Sequence, residues 1–145
     1  VLHKNCALNA VAPDCAKLWW GDEADLASMT EKYPEGVDII VGADLVYSAT
    51  QVAAAIPALF QTVNQLLAPG PEACFVLALT RRNFGESDVL QAARKHGFEF
   101  TIDRDTIYDI FDNNIDEQTV FWRDCIYIFS RSPEGVGCGE SGLPI

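Results

Sequence analysis

Two short apolar runs joined by one long amphipathic stretch restrict this chain more than any other feature. Val37 to Ala43 reads VDIIVGA, and Ala73 to Thr80 reads ACFVLALT. Runs of this length and composition predict strands buried on both faces of a parallel sheet. Between them, Val52, Ile56, Leu59, Phe60, Val63, Leu66 and Leu67 recur at three- and four-residue steps, one continuous stripe of a helix over Ala49 to Leu67. Pro57 removes one backbone donor from that helix, and Pro69-Gly70-Pro71 ends it. Parallel neighbours need a crossover of this kind, so the centre of the chain is a βαβ unit.

The flanking segments extend the alternation. Leu2, Cys6 and either Leu8 or Asn9 share one face over Val1 to Ala10, the expected end of a helix that begins before residue 1, and Pro13-Asp14 breaks it. Cys15 to Trp20 (CAKLWW) predicts a short strand closed by Gly21, and Asp22 to Tyr33 a short helix or turn. Glu86 to His96 predicts a helix stopped at Gly97, and Phe98 to Ile102 a strand. Arg104 to Glu117 is acidic without a clean period, and Thr119 to Arg131 holds one strand or two. The expectation is an α/β fold, a partial doubly wound (Rossmann-like) sheet over residues 1–131 with a C-terminal antiparallel strand pair at one edge. The Gly- and Pro-rich residues 132–145 are expected to form a flexible tail.

Charge narrows the partners. A net charge of −11 over 145 residues opposes broad nucleic-acid binding and favours a basic protein surface. No run approaches a membrane span and no leader is present, so a cytoplasmic protein is expected. The five cysteines include no CxxC pair, and Cys74 and Cys125 lie inside apolar runs, which reads as buried free thiols in a reducing compartment. With only His3 and His96, no metal site is expected. The chain starts at Val1 and its one methionine is Met29, as in a piece of a longer protein.

Several motifs compete for the chemistry. Asp22-Glu23-Ala24-Asp25 spells a helicase box but lacks both the preceding apolar strand and an upstream phosphate loop. Gly137 to Gly142 is formally GxGxxG, yet no strand leads into it and only Leu143 to Ile145 follow. No serine stands in a triad-like relation to a histidine. Trp19-Trp20 reads either as packing or as a ligand platform. Asp44 sits where a central strand leaves the sheet, the edge at which α/β proteins bind ligands. It reads either as a cap for the next helix or as a working carboxylate, with Tyr47 beside it.

Taken together, these residues resemble the seven-β-strand (class I) protein-lysine methyltransferases, which use S-adenosylmethionine. Asn5 with Leu8-Asn9 is similar to that family's NxxxN helix, and Leu18-Trp19-Trp20-Gly21 to its LxWG turn. Gly42-Ala43-Asp44-Leu45-Val46-Tyr47 is similar to its ADxxY motif. Thr80-Arg81-Arg82-Asn83 looks closest to the elongation-factor-2 lysine methyltransferase branch. The resemblance implies that Trp20 lies beside the cofactor's adenine and that the Ala43 backbone contacts the cofactor. It implies that Asp44 and Tyr47 stand near the methyl donor and the entering lysine, the two catalytic candidates. The implied partner is a protein substrate, such as a translation factor or a chaperone.

One departure stands beside the match. The family's sheet opens with a strand, an ExGxGxG loop, a helix and a second strand whose acid holds the ribose; all of that is expected to precede residue 1. The chain then reads as the C-terminal two-thirds of the domain, with its first two strands missing and weak or no cofactor binding on its own. Two other readings stay open: a non-catalytic interaction module built on the same fold, and a small-molecule methyltransferase.

Overall fold

The computed structural model describes residues 6, 8, 13–46, 49–80, 85–103 and 124–132. Helix α1 (Glu23–Lys32) starts where the Asp22 carboxylate accepts the Asp25 N–H, and it closes at Tyr33, whose N–H bonds to Met29 O. Glu23 and Asp25 in the first turn and Lys32 in the last complement the helix dipole. The supposed helicase box is therefore a helix start. Only Leu26 of α1 is buried, so α1 rests on the body of the molecule by a single apolar anchor.

The remaining described elements are β1 (Ile39–Ala43), α2 (Ala49–Leu66), β2 (Cys74–Thr80), α3 (Glu86–Lys95), β3 (Phe98–Asp103) and β4 (Asp124–Arg131). The sheet order is β1-β2-β4-β3. β1 and β2 are parallel across α2, whereas β4 runs antiparallel to both of its neighbours. The expected α/β sheet with an antiparallel pair at one edge is present, a partial Rossmann-like arrangement in which β4 slots between β2 and β3. Pro57 is accommodated inside α2.

Two expectations are corrected. Cys15 to Trp20 is not a strand: residues 13–19 carry no regular structure. Among the described residues β1 pairs only with β2, so this segment has no ladder partner for its N–H and C=O groups. Tethers to the helices take over. Asp14 pairs with Lys32 at 2.7 Å, the Trp19 N–H donates to Asp25 at 2.8 Å, and the Gly21 N–H donates to Thr62 Oγ1 at 2.9 Å.

The second correction concerns β1, which is not buried on both faces. Ile39 is 61% and Val41 73% exposed, while Gly42 is buried. β2 alternates likewise, with Phe75, Leu77 and Leu79 buried and Cys74, Val76 and Ala78 partly exposed. The physical reason is that α2 and α3 pack on the same face, the one carrying Phe75, Leu77, Tyr127 and Phe129. The opposite face is the less covered, and its apolar residues make the run look like a two-sided strand.

Phe60 on α2 sits at the centre of that core, fully buried. Its ring meets Phe75 at 5.9 Å and Phe129 at 5.3 Å, both edge-on, with Phe98 at 6.1 Å. The far end of α2 has no basic residue in its last turn. Arg131 of β4 supplies the cation there, donating to Asn64 O at 2.8 Å and Leu67 O at 3.1 Å, and to Asn64 Oδ1, while its guanidinium lies over the Phe98 ring. β4 is thus locked to α2 by both packing and capping.

Gly36 sets the entry into β1. Its φ is +79°, and an added Cβ would lie 2.7 Å from both N and Cα of Ala68. Gly36→Ala is expected to lower stability by about 2–3 kcal/mol, from left-handed strain plus a clash with backbone that cannot step aside. Gly70→Ala, with nothing within 4 Å of the added carbon, serves as the control and should move the urea midpoint little.

Candidate functional site

Gly42 shapes the carboxyl end of β1. A Cβ there would lie 2.5 Å from Leu45 Cδ1, so its absence lets Leu45 fold back over the strand it has just left. That reversal places Asp44 at φ +48°, the only positive value at a non-glycine residue among those described. Asp reaches this region more readily than most side chains. The Asp44 N–H donates to Ala78 O at 2.9 Å, adding one bond to the ladder past the Ala43–Ala78 pair. The backbone is thereby pinned and the residue is exposed at the carboxyl end of β1. Strain of this sort concentrates at functional positions.

Other groups converge on the same end. β2 finishes at Thr80, opposite Asp124, and β3 finishes at Asp103, opposite Ile126. Glu86 opens α3 and accepts a hydrogen bond from the hydroxyl of the fully buried Tyr127 on β4. Asp44, Glu86, Asp103 and Asp124 therefore bring four acidic positions to the carboxyl ends of β1 and β2 and the strand ends beside them. Acidic groups at such a crevice favour the approach of cations. Sequence reading had missed Glu86 and Tyr127. The available signal was a tyrosine inside the apolar run Cys125 to Phe129, where a buried hydroxyl needs a partner.

The other candidates fall as follows. Ala43 is exposed beside Asp44. Trp20 is half-buried against the core, whereas Trp19 is 67% exposed with the Lys17 ammonium 6.0 Å from its ring centre. Gly21, next to Trp20, packs on Ala58, roughly 14 Å along α2 from its start at Ala49. Ala43 and Asp44 are thus brought together, and Trp20 lies farther along the helix. Tyr47, Arg81, Arg82 and Asn83 lie outside the described residues, as does nearly all of the Val1 to Ala10 stretch.

Asp25 holds the segment that carries Trp20. Its pKa is depressed, first by the hydrogen bond from the Trp19 N–H and then by Lys17, whose Nζ lies 3.2 Å away. A depressed carboxylate stabilises the fold above its unfolded pKa of about 3.9, and that contribution is lost as pH falls through the lower folded value. Acidification below about pH 4 is therefore expected to loosen residues 13–20 and shift the tryptophan emission to the red. Asp25→Ala should show the shifted spectrum already at neutral pH; an unchanged spectrum in the variant would contradict the tether.

Among the described residues, no group of three or more His, Cys, Asp or Glu is placed to hold a metal ion. No described helix is long and apolar enough to cross a membrane. Comparison with curated proteins finds none that matches. A family model described as lysine methyltransferase matches residues 1–96, nearly two-thirds of the chain. That span covers the LWWG segment, β1 with its Asp44 turn, α2, β2 and α3. The strained acid at the end of a parallel strand lies inside the matched region, and the chain belongs to the lysine methyltransferase family, whose members transfer methyl groups.

Proposed function

We propose that the carboxyl end of β1 is the lysine-facing side of an S-adenosylmethionine-dependent site that methylates a lysine side chain on a protein. The observation that carries this reading is Asp44, held at φ +48° by its N–H bond to Ala78 O and exposed at the acidic end of the sheet. The residues present fit part of the cofactor. A half-buried indole at Trp20 offers a flat face for adenine, and the small exposed Ala43 leaves its backbone approachable at the strand end. The two ends of an extended cofactor are far apart, so Trp20 and Asp44 need not touch. When bound, S-adenosylmethionine supplies an electrophilic methyl group.

The chain's own groups do the positioning. Asp44 draws the substrate ammonium to the carboxyl end of β1 and orients it. The lysine, with a solution pKa of about 10.4, must lose its Nζ proton before attack. Asp44 stands where an acceptor for that proton belongs. Tyr47, three residues on, supplies an aromatic face for the amine in the same proposal. Thr80-Arg81-Arg82-Asn83 favours a translation-factor substrate, and a net charge of −11 suits a basic docking surface.

The test is incorporation of labelled methyl from S-adenosylmethionine by the protein into candidate proteins, followed by hydrolysis and amino-acid analysis. Label in methyl-lysine supports the proposal. Label only in small molecules would move the function to a small-molecule methyltransferase, and no label with intact folding would favour the interaction module.

A further inference from the structure

We propose that Cys6 and Cys15 are a peroxide-sensitive dithiol, a modification site at the root of the segment that carries Trp19 and Trp20. The two Sγ atoms lie 3.2 Å apart, nine residues distant in sequence. A disulfide needs about 2.05 Å between sulfurs, an approach of roughly 1.1 Å that the irregular segment 13–19 can supply without unmaking a helix or strand. Cys6 is buried, while Cys15 is half-buried and its thiol also faces Pro13 O at 3.7 Å. Incoming oxidant therefore meets Cys15 first, and Cys6 resolves it.

The thiols on the sheet are set apart from each other. Cys74 stands opposite Ser130 at one end of β2, and Cys125 stands opposite Leu79 near the other end. Five residues of strand, about 17 Å, separate the two positions.

The chemistry balances with hydrogen peroxide as the oxidant. The Cys15 thiolate attacks a peroxide oxygen, the O–O bond breaks, and a sulfenic acid forms as the leaving oxygen takes up a proton to become water. The Cys6 sulfur then attacks the sulfenic sulfur, the S–S bond forms, the S–O bond breaks and a second water leaves. Two thiols lose two electrons and two protons, and one peroxide is reduced to two waters. The Cys15 pKa is raised, chiefly by its hydrogen bond to Cys6, then by burial, and further by its electrostatic interaction with Cys6 and the Asp14 carboxylate. Oxidation is accordingly slow at neutral pH and speeds up as pH rises.

Closure changes how the segment is held. At present residues 13–20 are fastened by Asp14–Lys32 and by Asp25 to Trp19, both exposed polar ties. A covalent link at Cys15 survives acid and salt, which those ties do not.

The chain contains its own readout, because cleavage after Lys4 and Lys17 leaves both cysteines in one tryptic peptide, residues 5–17. The whole 145-residue chain is treated with hydrogen peroxide, quenched, alkylated and digested. The expected product is peptide 5–17 lighter by two hydrogens, restored to two alkylated thiols by dithiothreitol, and formed about tenfold faster in the native chain than in urea. Cys6→Ser and Cys15→Ser should each abolish the link. Independent sulfinic acids at the two cysteines, equal rates in native and urea-unfolded chain, or thiols that stay reduced while Cys74 and Cys125 react would each overturn the proposal.

Discussion

Asp44→Asn is expected to lower the proposed lysine methylation about a hundredfold while shifting thermal stability far less. Two effects of Asp44 can be separated by this substitution. Its conformation, φ +48°, is one that asparagine adopts as readily as aspartate, and its bond to Ala78 O is made by the backbone. Both survive the change. The negative charge at the carboxyl end of β1 does not. Asp44→Val provides the opposite contrast, adding about 1–2 kcal/mol of left-handed strain to the lost charge. If Asp44 only shapes the turn, the asparagine variant keeps full activity and the valine variant loses stability. A non-catalytic interaction module likewise predicts no functional change for asparagine. Steady-state methylation together with a melting curve for each variant distinguishes these outcomes.

Phe60→Ala is expected to cost about 3–5 kcal/mol, a large fraction of the roughly 5–15 kcal/mol that holds a domain together. Phe60 is fully buried and touches rings from β2, β3 and β4, so its removal opens a cavity where every strand but β1 meets α2. The surrounding aromatics cannot collapse into the space without leaving one another: Phe75 stacks on Phe129 at 5.7 Å, and Tyr127 stacks on Phe129 at 6.0 Å. Phe60→Leu keeps most of the volume and should cost about 1–1.5 kcal/mol. Urea unfolding of the three proteins measures the series. A loss below about 1 kcal/mol for the alanine variant would show that the core can close around the gap.

The fold was legible wherever a local pattern matched a local cause. The stripe from Val52 to Leu67 produced α2, and the alternation of runs produced a parallel β1–β2 pair. Asp22-Glu23-Ala24-Asp25 had the composition of a helix start, and that is what it is. What could not be read was dependence on a neighbour. Cys15 to Trp20 has strand-like alternation, but a strand exists only beside another strand, and among the described residues β1 pairs with β2 alone. The apolar run at Val37 to Ala43 looked buried on two sides because burial depends on where helices land, and α2 and α3 land on one. In the site, Asp44 was visible from its place at the end of a strand. Glu86 and Tyr127 were not, because a contact between residues 41 positions apart leaves no trace in spacing.

The central claim of the proposal is that methyl donor and lysine meet at the carboxyl end of β1. Amide and indole NMR of the 145-residue chain during addition of S-adenosylmethionine tests it most directly. The expected result is a set of shifts centred on the Ala43 and Asp44 amides and the Trp20 indole. Shifts elsewhere with Ala43 and Asp44 unmoved would contradict the site.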